Sequence, residues 1–321
     1  MTDNKVTWRR GTVESIEPAA TGIAEIVINT QSGPRATPGS HVDIRTAEGR
    51  QRSYSVVSGA EDGRSITLGV RLSPSSRGGS VFMHALEPGD TIEVTAPLQN
   101  FPLRIGAPRY VLLAGGIGIT ALIAMAETLG RIGADYRLVY VGRSRAAMAF
   151  MPRLAAHGDR LSVHVDAEGT GLDIPALVSD IDASTELYMC GPIRMMDEVR
   201  RAWLDRELPL PNLRYETFGN SGWFEPQEFA VSVPRLGITT TVGREETLLE
   251  ALARAGADMM YDCKKGECGL CLVDVLEVDG VVDHRDVFFS ESQKSDCRKM
   301  CTCVSRVAGS GAPATLTLEI P

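Results

Sequence analysis

The 321-residue chain is too long for one ordinary hydrophobic core and implies roughly two or three domains. Its 43% hydrophobic content can fill several cores, while a net charge of −8 with no long lysine or arginine run excludes a nucleic-acid backbone as partner. The polar, basic start MTDNKVTWRR lacks the apolar core of an export signal. Residues 110–126, although uncharged, are short for a membrane span and interrupted by glycines, so a cytoplasmic, non-membrane protein is expected.

Residues 1–105 carry short, alternating, β-branched runs at 26–28, 66–70 and 91–94, punctuated by Gly and Pro, the pattern of a small β-barrel. Two tetrapeptides stand out there: Arg52, Ser53, Tyr54 and Ser55 form RSYS, and Arg77, Gly78, Gly79 and Ser80 form RGGS. A guanidinium, hydroxyls and closely approachable backbone amides suit a phosphate, and Tyr54 and Val70 offer surfaces for a flat ring. Each tetrapeptide alone also fits an ordinary strand edge or turn.

From residue 106 to 218 the pattern changes. Apolar runs at 110–114, 136–141, 161–165 and 186–190 alternate with helical stretches near 121–130 and 195–204, which predicts an α/β domain with a parallel sheet covered on both faces. The first run leads into Gly115, Gly116, Ile117, Gly118, Ile119 and Thr120, a turn that frees a helix N-terminus to meet an anion or a carbonyl group. It departs from the G-x-G-x-x-G fingerprint, and such a turn also serves tight packing. Cys190, Gly191 and Pro192 close a later strand at the carboxyl edge of the sheet, where α/β proteins bind ligands. On its own, Cys190 reads as a small buried apolar residue.

GNSGWFEPQE, residues 219–228, breaks both periodicities and marks a linker. The third unit, 229–321, opens on alternating Phe229, Val231 and Val233, continues through 238–242 and a helical stretch at 247–255, and ends on an alternating strand at 315–320.

Six of the seven cysteines lie in this last unit, a clustering that favours metal over disulfides. Cys263, Cys268 and Cys271 have the C-x4-C-x2-C spacing of plant-type iron–sulfur proteins. Gly266 and Gly269 let backbone amides approach the cluster sulfurs. A fourth ligand must fold back from Cys297, Cys301 or Cys303, among which spacing does not choose. A structural zinc site is the minority alternative, because the x4 gap and the lack of metal-spaced histidine fit it poorly, and a dithiol pair of Cys268 and Cys271 fits less well still.

In the order RxYS, RGGS, GGIGIT, CGP and C-x4-C-x2-C, these motifs resemble the phthalate dioxygenase reductase and vanillate demethylase reductase family along the whole chain. The resemblance implies a multidomain protein: a flavin-binding β-barrel over 1–105, an NAD-binding α/β domain over 106–218, and an α+β β-grasp ferredoxin domain over 229–321. It implies FMN, with Arg52, Tyr54 and Ser55 at the flavin and its phosphate, Val70 and Arg71 beside the ring, and Gly79, Ser80 and Thr120 nearby. Ser53, Gly78, Gly115 and Gly191 belong to the same motifs. It further implies Gly116, Cys190 and Pro192 at the nicotinamide of NADH, Phe218 of YETFG over the flavin, and Cys303, which precedes V-S-R, as the fourth ligand of a 2Fe-2S cluster. Asp283 to Asp286, the sequence DHRD, match the ferredoxin domain in a structural role.

NADH gives up electrons in pairs and an iron–sulfur cluster takes them singly, so a flavin between them removes the mismatch. A Rieske centre would need C-x-H and C-x2-H pairs, and the chain has neither. Oxygen activation is therefore expected in a separate terminal oxygenase, of the Rieske non-haem iron type by resemblance, acting on an aromatic acid or aryl ether. Lys264 and Lys265 beside the cluster are expected to favour an acidic docking surface. NADH is expected over NADPH, although Arg143, Ser144 and Arg145 offer groups for a 2′-phosphate. The competing functions are a stand-alone flavin reductase and a zinc-stabilised nucleotide-binding module.

Overall fold

The computed structural model describes residues 6–74, 76–219, 221–309 and 313–320, so Asn220 of the expected linker lies outside the described residues. The chain forms two compact units, one running to Gly191 and including Glu198–Glu216, the other made of Pro192–Asp197 and Thr217 onward.

The first unit opens with β1 (Trp8–Ala20), β2 (Ile23–Asn29), β3 (Ser40–Arg45), β4 (Gln51–Gly59), β5 (Ser65–Arg71), the short helix α1 (Gly79–His84), β6 (Thr91–Thr95) and β7 (Leu98–Gln99). The strands pair in the order β4-β5-β2-β1-β6-β3-β7, and an additional β3–β4 pairing closes the sheet into a barrel. Alternation drives this closure: Ile26, Ile28, Ile44, Leu68 and Val94 are fully buried and share one core, while the residues between them face outward. Register shifts in the β1–β2 and β4–β5 ladders supply the bends that a closed barrel requires.

The chain continues through β8 (Arg109–Gly115), α2 (Ile119–Arg131), β9 (Tyr136–Gly142), α3 (Met151–Leu154), β10 (Leu161–Val165), α4 (Ile174–Ser179), β11 (Thr185–Cys190), α5 (Ile193–Asp205) and β12 (Leu213–Glu216). All strand pairs are parallel, in the order β10-β9-β8-β11-β12. The central strand β8 is buried from Tyr110 to Gly115, as a strand covered on both faces must be. Helix α2 buries Ile119, Leu122, Ile123, Ala126 and Leu129 at helical spacing.

The second unit contains β13 (Phe229–Val233), β14 (Ile238–Val242), α6 (Leu248–Arg254), β15 (Leu272–Asp279), β16 (Val281–Asp283), α7 (Glu291–Asp296), β17 (Lys299–Cys301), β18 (Arg306–Ala308) and β19 (Ala314–Glu319). The sheet order is β14-β13-β19-β15-β17, with β13 and β19 parallel. Helix α6 starts on a capping box between Thr247 and Glu250, and Leu248, Ala251 and Leu252 pack with Phe229, Val231, Leu316 and Leu318. This is the expected β-grasp arrangement. The segment expected as a linker is tied down at two points: Trp223 N donates to Asp283 Oδ1 at 2.9 Å and Arg285 Nη2 donates to Phe224 O at 2.8 Å. Among the described residues no helix is long and apolar enough to cross a membrane.

Candidate functional site

The RSYS motif lies within β4, where alternation sends neighbouring side chains to opposite faces. Arg52 Nη2 donates to the Arg77 carbonyl at 2.8 Å, and Gly79 lies so close that a β-carbon there would be 2.7 Å from Arg52 Cγ and 2.9 Å from Tyr54 Oη. The two tetrapeptides, separate in sequence, therefore form one surface. Gly78 adopts φ 85° ahead of α1, and Ser80 Oγ accepts from Ser73 N and donates to Ser76 Oγ. Burial raises the Tyr54 phenol well above its ordinary value, so it stays protonated. Ser53 turns away from this surface and donates to Asp43 Oδ1 at 2.5 Å, which ties it into the barrel frame.

Val70 is buried at the end of β5, and beyond it desolvation and the nearby Arg143 cation lower the Arg71 guanidinium from its ordinary value. Two cations facing one another form a locus that favours an anion. Arg145 forms a bidentate pair with Glu168, at 2.8 and 2.6 Å.

The glycine turn links the barrel to the parallel sheet. Residues Gly116–Gly118 make one 3-10 turn between β8 and α2, and Thr120 Oγ1 closes it by donating to Ile117 O at 2.9 Å. A β-carbon on Gly69 of β5 would be 2.6 Å from Thr120 Cγ2, and one on Gly118 would collide with the Cys190 carbonyl. Only glycine permits that approach. Cys190 is the last residue of β11, fully buried, and paired with Ala114 on one side and Glu216 on the other.

Sequence reasoning missed Glu216. It ends β12, is 2% exposed, and accepts from Ser55 Oγ at 3.3 Å. The available signal was a charged residue closing a strand at the ligand-binding edge of an α/β sheet. Phe218 is half-buried in the second unit, next to Thr217, which donates from Oγ1 to Lys265 O and from N to Glu267 Oε1.

In the second unit the loop between α6 and β15 bends at Lys264 (φ 53°), Gly266 (φ 76°) and Gly269 (φ 75°). These left-handed positions turn successive amides inward, and Lys265 N, Glu267 N and Cys268 N all lie 3.4 Å from Cys263 Sγ. A β-carbon at Gly266 would press on Val304 and Asp286. The Cys303 thiol lies beside Cys263 and Cys271, and the Cys301 thiol beside Cys271, with Cys271, Cys301 and Cys303 in one small core. The Cys303 thiol and the three amides lower Cys263 to about 4, and the Cys301 and Cys303 thiols lower Cys271 to about 3. Cys303 and Cys301 shift upward in return, each chiefly through its neighbouring thiols, and burial raises Cys268.

Thiolate-stabilising amides around a set of four cysteines fit the donor requirements of a two-iron cluster. Among the described residues no group of three or more His, Cys, Asp or Glu converges as closely as a single ion needs, whereas a two-iron core spreads its ligands over two metals. Cys297 faces elsewhere, donating to Lys294 O at 3.2 Å and packing on the sheet core.

The loop is braced from behind. Val287 N donates to Gly266 O, and Thr302 donates from both N and Oγ1 to Cys271 O. In DHRD, Asp283 pairs with Arg285 at 2.6 Å, and Asp286, fully buried, accepts from Phe289 N, Ser305 Oγ and His284 Nδ1. Burial alone would raise Asp286; the bonds from His284 and Phe289 outweigh it and lower it. The expected positive face is halved, because Lys265 is only 7% exposed while Lys264 stands out over the Tyr261 ring at 4.6 Å.

Residues 232–308 match the family described as the 2Fe-2S iron–sulfur cluster binding domain. The chain is 35% identical to phenoxybenzoate dioxygenase subunit beta of Ectopseudomonas oleovorans over 284 residues, 88% of this chain and 87% of that one. Phthalate dioxygenase reductase, of known structure, is 27% identical with a TM-score of 0.74, the match covering 98% of both chains. The chain belongs to the phthalate dioxygenase reductase family. Within this family it is an oxidoreductase, the reductase component of an oxygenase system, and it carries a 2Fe-2S domain that includes all four cysteines of the set. The zinc-module reading falls with that membership. An intact type IV self-sufficient cytochrome P450 monooxygenase is also similar, at 36% identity and a TM-score of 0.66; the match covers 97% of this chain but 41% of that one.

Proposed function

We propose that the chain takes hydride from NADH onto FMN and hands the electrons on singly, through a cluster on Cys263, Cys268, Cys271 and Cys303, to a separate Rieske non-haem iron oxygenase in the cytoplasm. The domains are 1–105 for FMN, 106–218 for NADH and 229–321 for the cluster, joined by 219–228. What supports this reading is one run of contacts, Gly79 on Arg52 and Tyr54, Ser55 on Glu216, Gly69 on Thr120 and Gly118 on Cys190, which draws motifs scattered over the first unit to one place.

FMN, when bound, supplies the interchange between a two-electron donor and a one-electron acceptor. Arg52, Gly78, Gly79 and Ser80 hold its phosphate by charge and by closely approaching amides. Tyr54, Ser55, Val70, Arg71 and Thr120 line its ring; Ser53 keeps β4 in register through Asp43. Gly115, Gly116, Cys190, Gly191 and Pro192 orient the nicotinamide, which is the main task a protein has in hydride transfer. Arg71 and Arg143 attract the dinucleotide's phosphates, and Glu168, by occupying Arg145, disfavours a 2′-phosphate and so favours NADH. Anaerobic purification should yield one FMN and two irons per chain; released FAD, or iron near zero, would refute the reading.

The similarity to the self-sufficient P450 favours a second reading of the partner as a haem oxygenase. Capture of the native partner separates the two: C-x-H and C-x2-H pairs in its sequence support the Rieske type, and a haem absorption band supports the other.

A further inference from the structure

His84 is the last residue of α1, and its Nε2 lies 2.8 Å from the Val70 carbonyl oxygen near the end of β5. A carbonyl can only accept, so the imidazole donates from Nε2. Ser80 of RGGS stands four residues earlier on the same helix, and therefore on the same face. Its Oγ accepts from Ser73 N at 3.1 Å, so this one face of α1 holds the chain that leaves β5 at two points. We infer that His84 is a positioning residue for the flavin: its bond to Val70 holds the RGGS face of α1 at a fixed spacing from the strand end that lines the ring. The inference rests on the FMN reading above and assigns His84 no contact with the flavin itself.

The spacing matters because FMN carries its phosphate and its ring on one molecule. When two linked groups bind two subsites, the second contact is intramolecular, and its strength depends on how well the distance between the subsites matches the link. Each subsite is fixed separately. Arg52, bonded to the Arg77 carbonyl, and the close approach of Gly79 to Arg52 and Tyr54 tie the phosphate side to β4. Val70 is paired with Ala24 of β2 and buried in the barrel core. Between the two, Met83 is fully buried in the same core and Phe82 packs against it, which seats α1 on the barrel. Apolar contact is non-directional and does not set the tilt of a six-residue helix. The His84 bond is directional and does.

The test titrates the full-length protein, freed of flavin, with FMN and separately with riboflavin, which has the ring but no phosphate, and reads binding from flavin fluorescence. His84→Phe keeps a flat ring and loses the donor, while Met83 and Phe82 still seat the helix. It should weaken FMN binding by about threefold to tenfold, the range of one hydrogen bond, and leave riboflavin within about twofold of the wild type. His84→Gln can place its amide nitrogen where Nε2 stands and should bring FMN binding back toward the wild type. Equal weakening of both ligands in His84→Phe would show a general loosening of the barrel and overturn the inference, as would unchanged FMN binding or a failure of His84→Gln to rescue it. A wild-type protein that binds FMN no more tightly than riboflavin fails differently: it removes the phosphate subsite, and with it the FMN reading on which the inference rests.

Discussion

Ser55 and Glu216 lie 161 positions apart and are joined by a hydrogen bond of 3.3 Å from the serine hydroxyl to the carboxylate. Both are buried, and they bind the flavin-side strand β4 of the barrel to the last strand, β12, of the parallel sheet. The bond therefore fixes the register between the surface that would hold the hydride acceptor and the edge that would hold the donor. Hydride transfer is sensitive to such register, since a displacement of about 1 Å can cost on the order of a hundredfold. Ser55→Ala should slow flavin reduction by NADH about tenfold in stopped flow, with most of the bound FMN retained. An unchanged reduction rate would show that the pair has no part in alignment.

Much of this architecture is readable from periodicity. The runs at 161–165 and 238–242 coincide with β10 and β14 because their alternation begins and ends sharply, and α2 and α5 exceed their expected bounds by one or two residues at each end, the usual scatter of helix termini. The region after the cysteine loop was not readable. Strand β15, LVDVLEVD, carries acidic residues that mask its pattern, and α7, ESQKSD, has no apolar stripe at all; its helix rests on the reciprocal bonds of Ser290 and Gln293. The candidate site divides in the same way. Its glycines and cysteines announce themselves by spacing, whereas Glu216 and the burial of Lys265 arise from tertiary contacts between segments far apart in sequence.

Asp286 anchors the frame behind the cysteine loop through three acceptor bonds. Its carboxyl is held below the ordinary value of 3.8, so it contributes stability that is fully present above that pH and is lost as pH falls through the lower folded value. Asp286→Asn should cost about 2 kcal/mol at neutral pH, since an amide cannot satisfy all three donors. It should also flatten the acid limb of the stability curve below pH ~4. Chemical denaturation at several pH values measures both, and an acid limb as steep as the wild type's would assign that limb to other groups.

The Arg145–Glu168 pair is exposed, so its energetic weight is modest, and its effect on cofactor choice should be modest too. Glu168→Gln releases the Arg145 guanidinium and removes a negative charge from where a 2′-phosphate would approach. The efficiency with NADPH relative to NADH should rise about threefold to fivefold, the range of one surface ion pair. An unaltered ratio would mean that the phosphate lies elsewhere.

The last prediction concerns the outgoing electron. Deleting residues 229–321 is a poor test, because residues 217–228 and Pro192–Asp197 belong to the same compact unit and would lose their packing. Cys303→Ser is cleaner, since it changes one buried atom beside Cys263 and Cys271. If the electron route runs through the cluster, this variant loses its electron paramagnetic resonance signal and its support of the oxygenase. It should still oxidise NADH with ferricyanide at near the wild-type rate, because that acceptor takes electrons from the flavin. The surface around the loop sets the form of docking. Met260, Tyr261, Leu270 and Phe288 are exposed by 76%, 51%, 49% and 42%, and with Lys265 buried, Lys264 is the lysine of the loop that remains exposed. Apolar contact does not weaken with ionic strength as charge attraction does, so raising salt from 50 to 300 mM should reduce oxygenase-coupled turnover by less than about threefold. A steep salt dependence would point to an electrostatic docking face elsewhere, and full oxygenase turnover by Cys303→Ser would place the exit of electrons at the flavin.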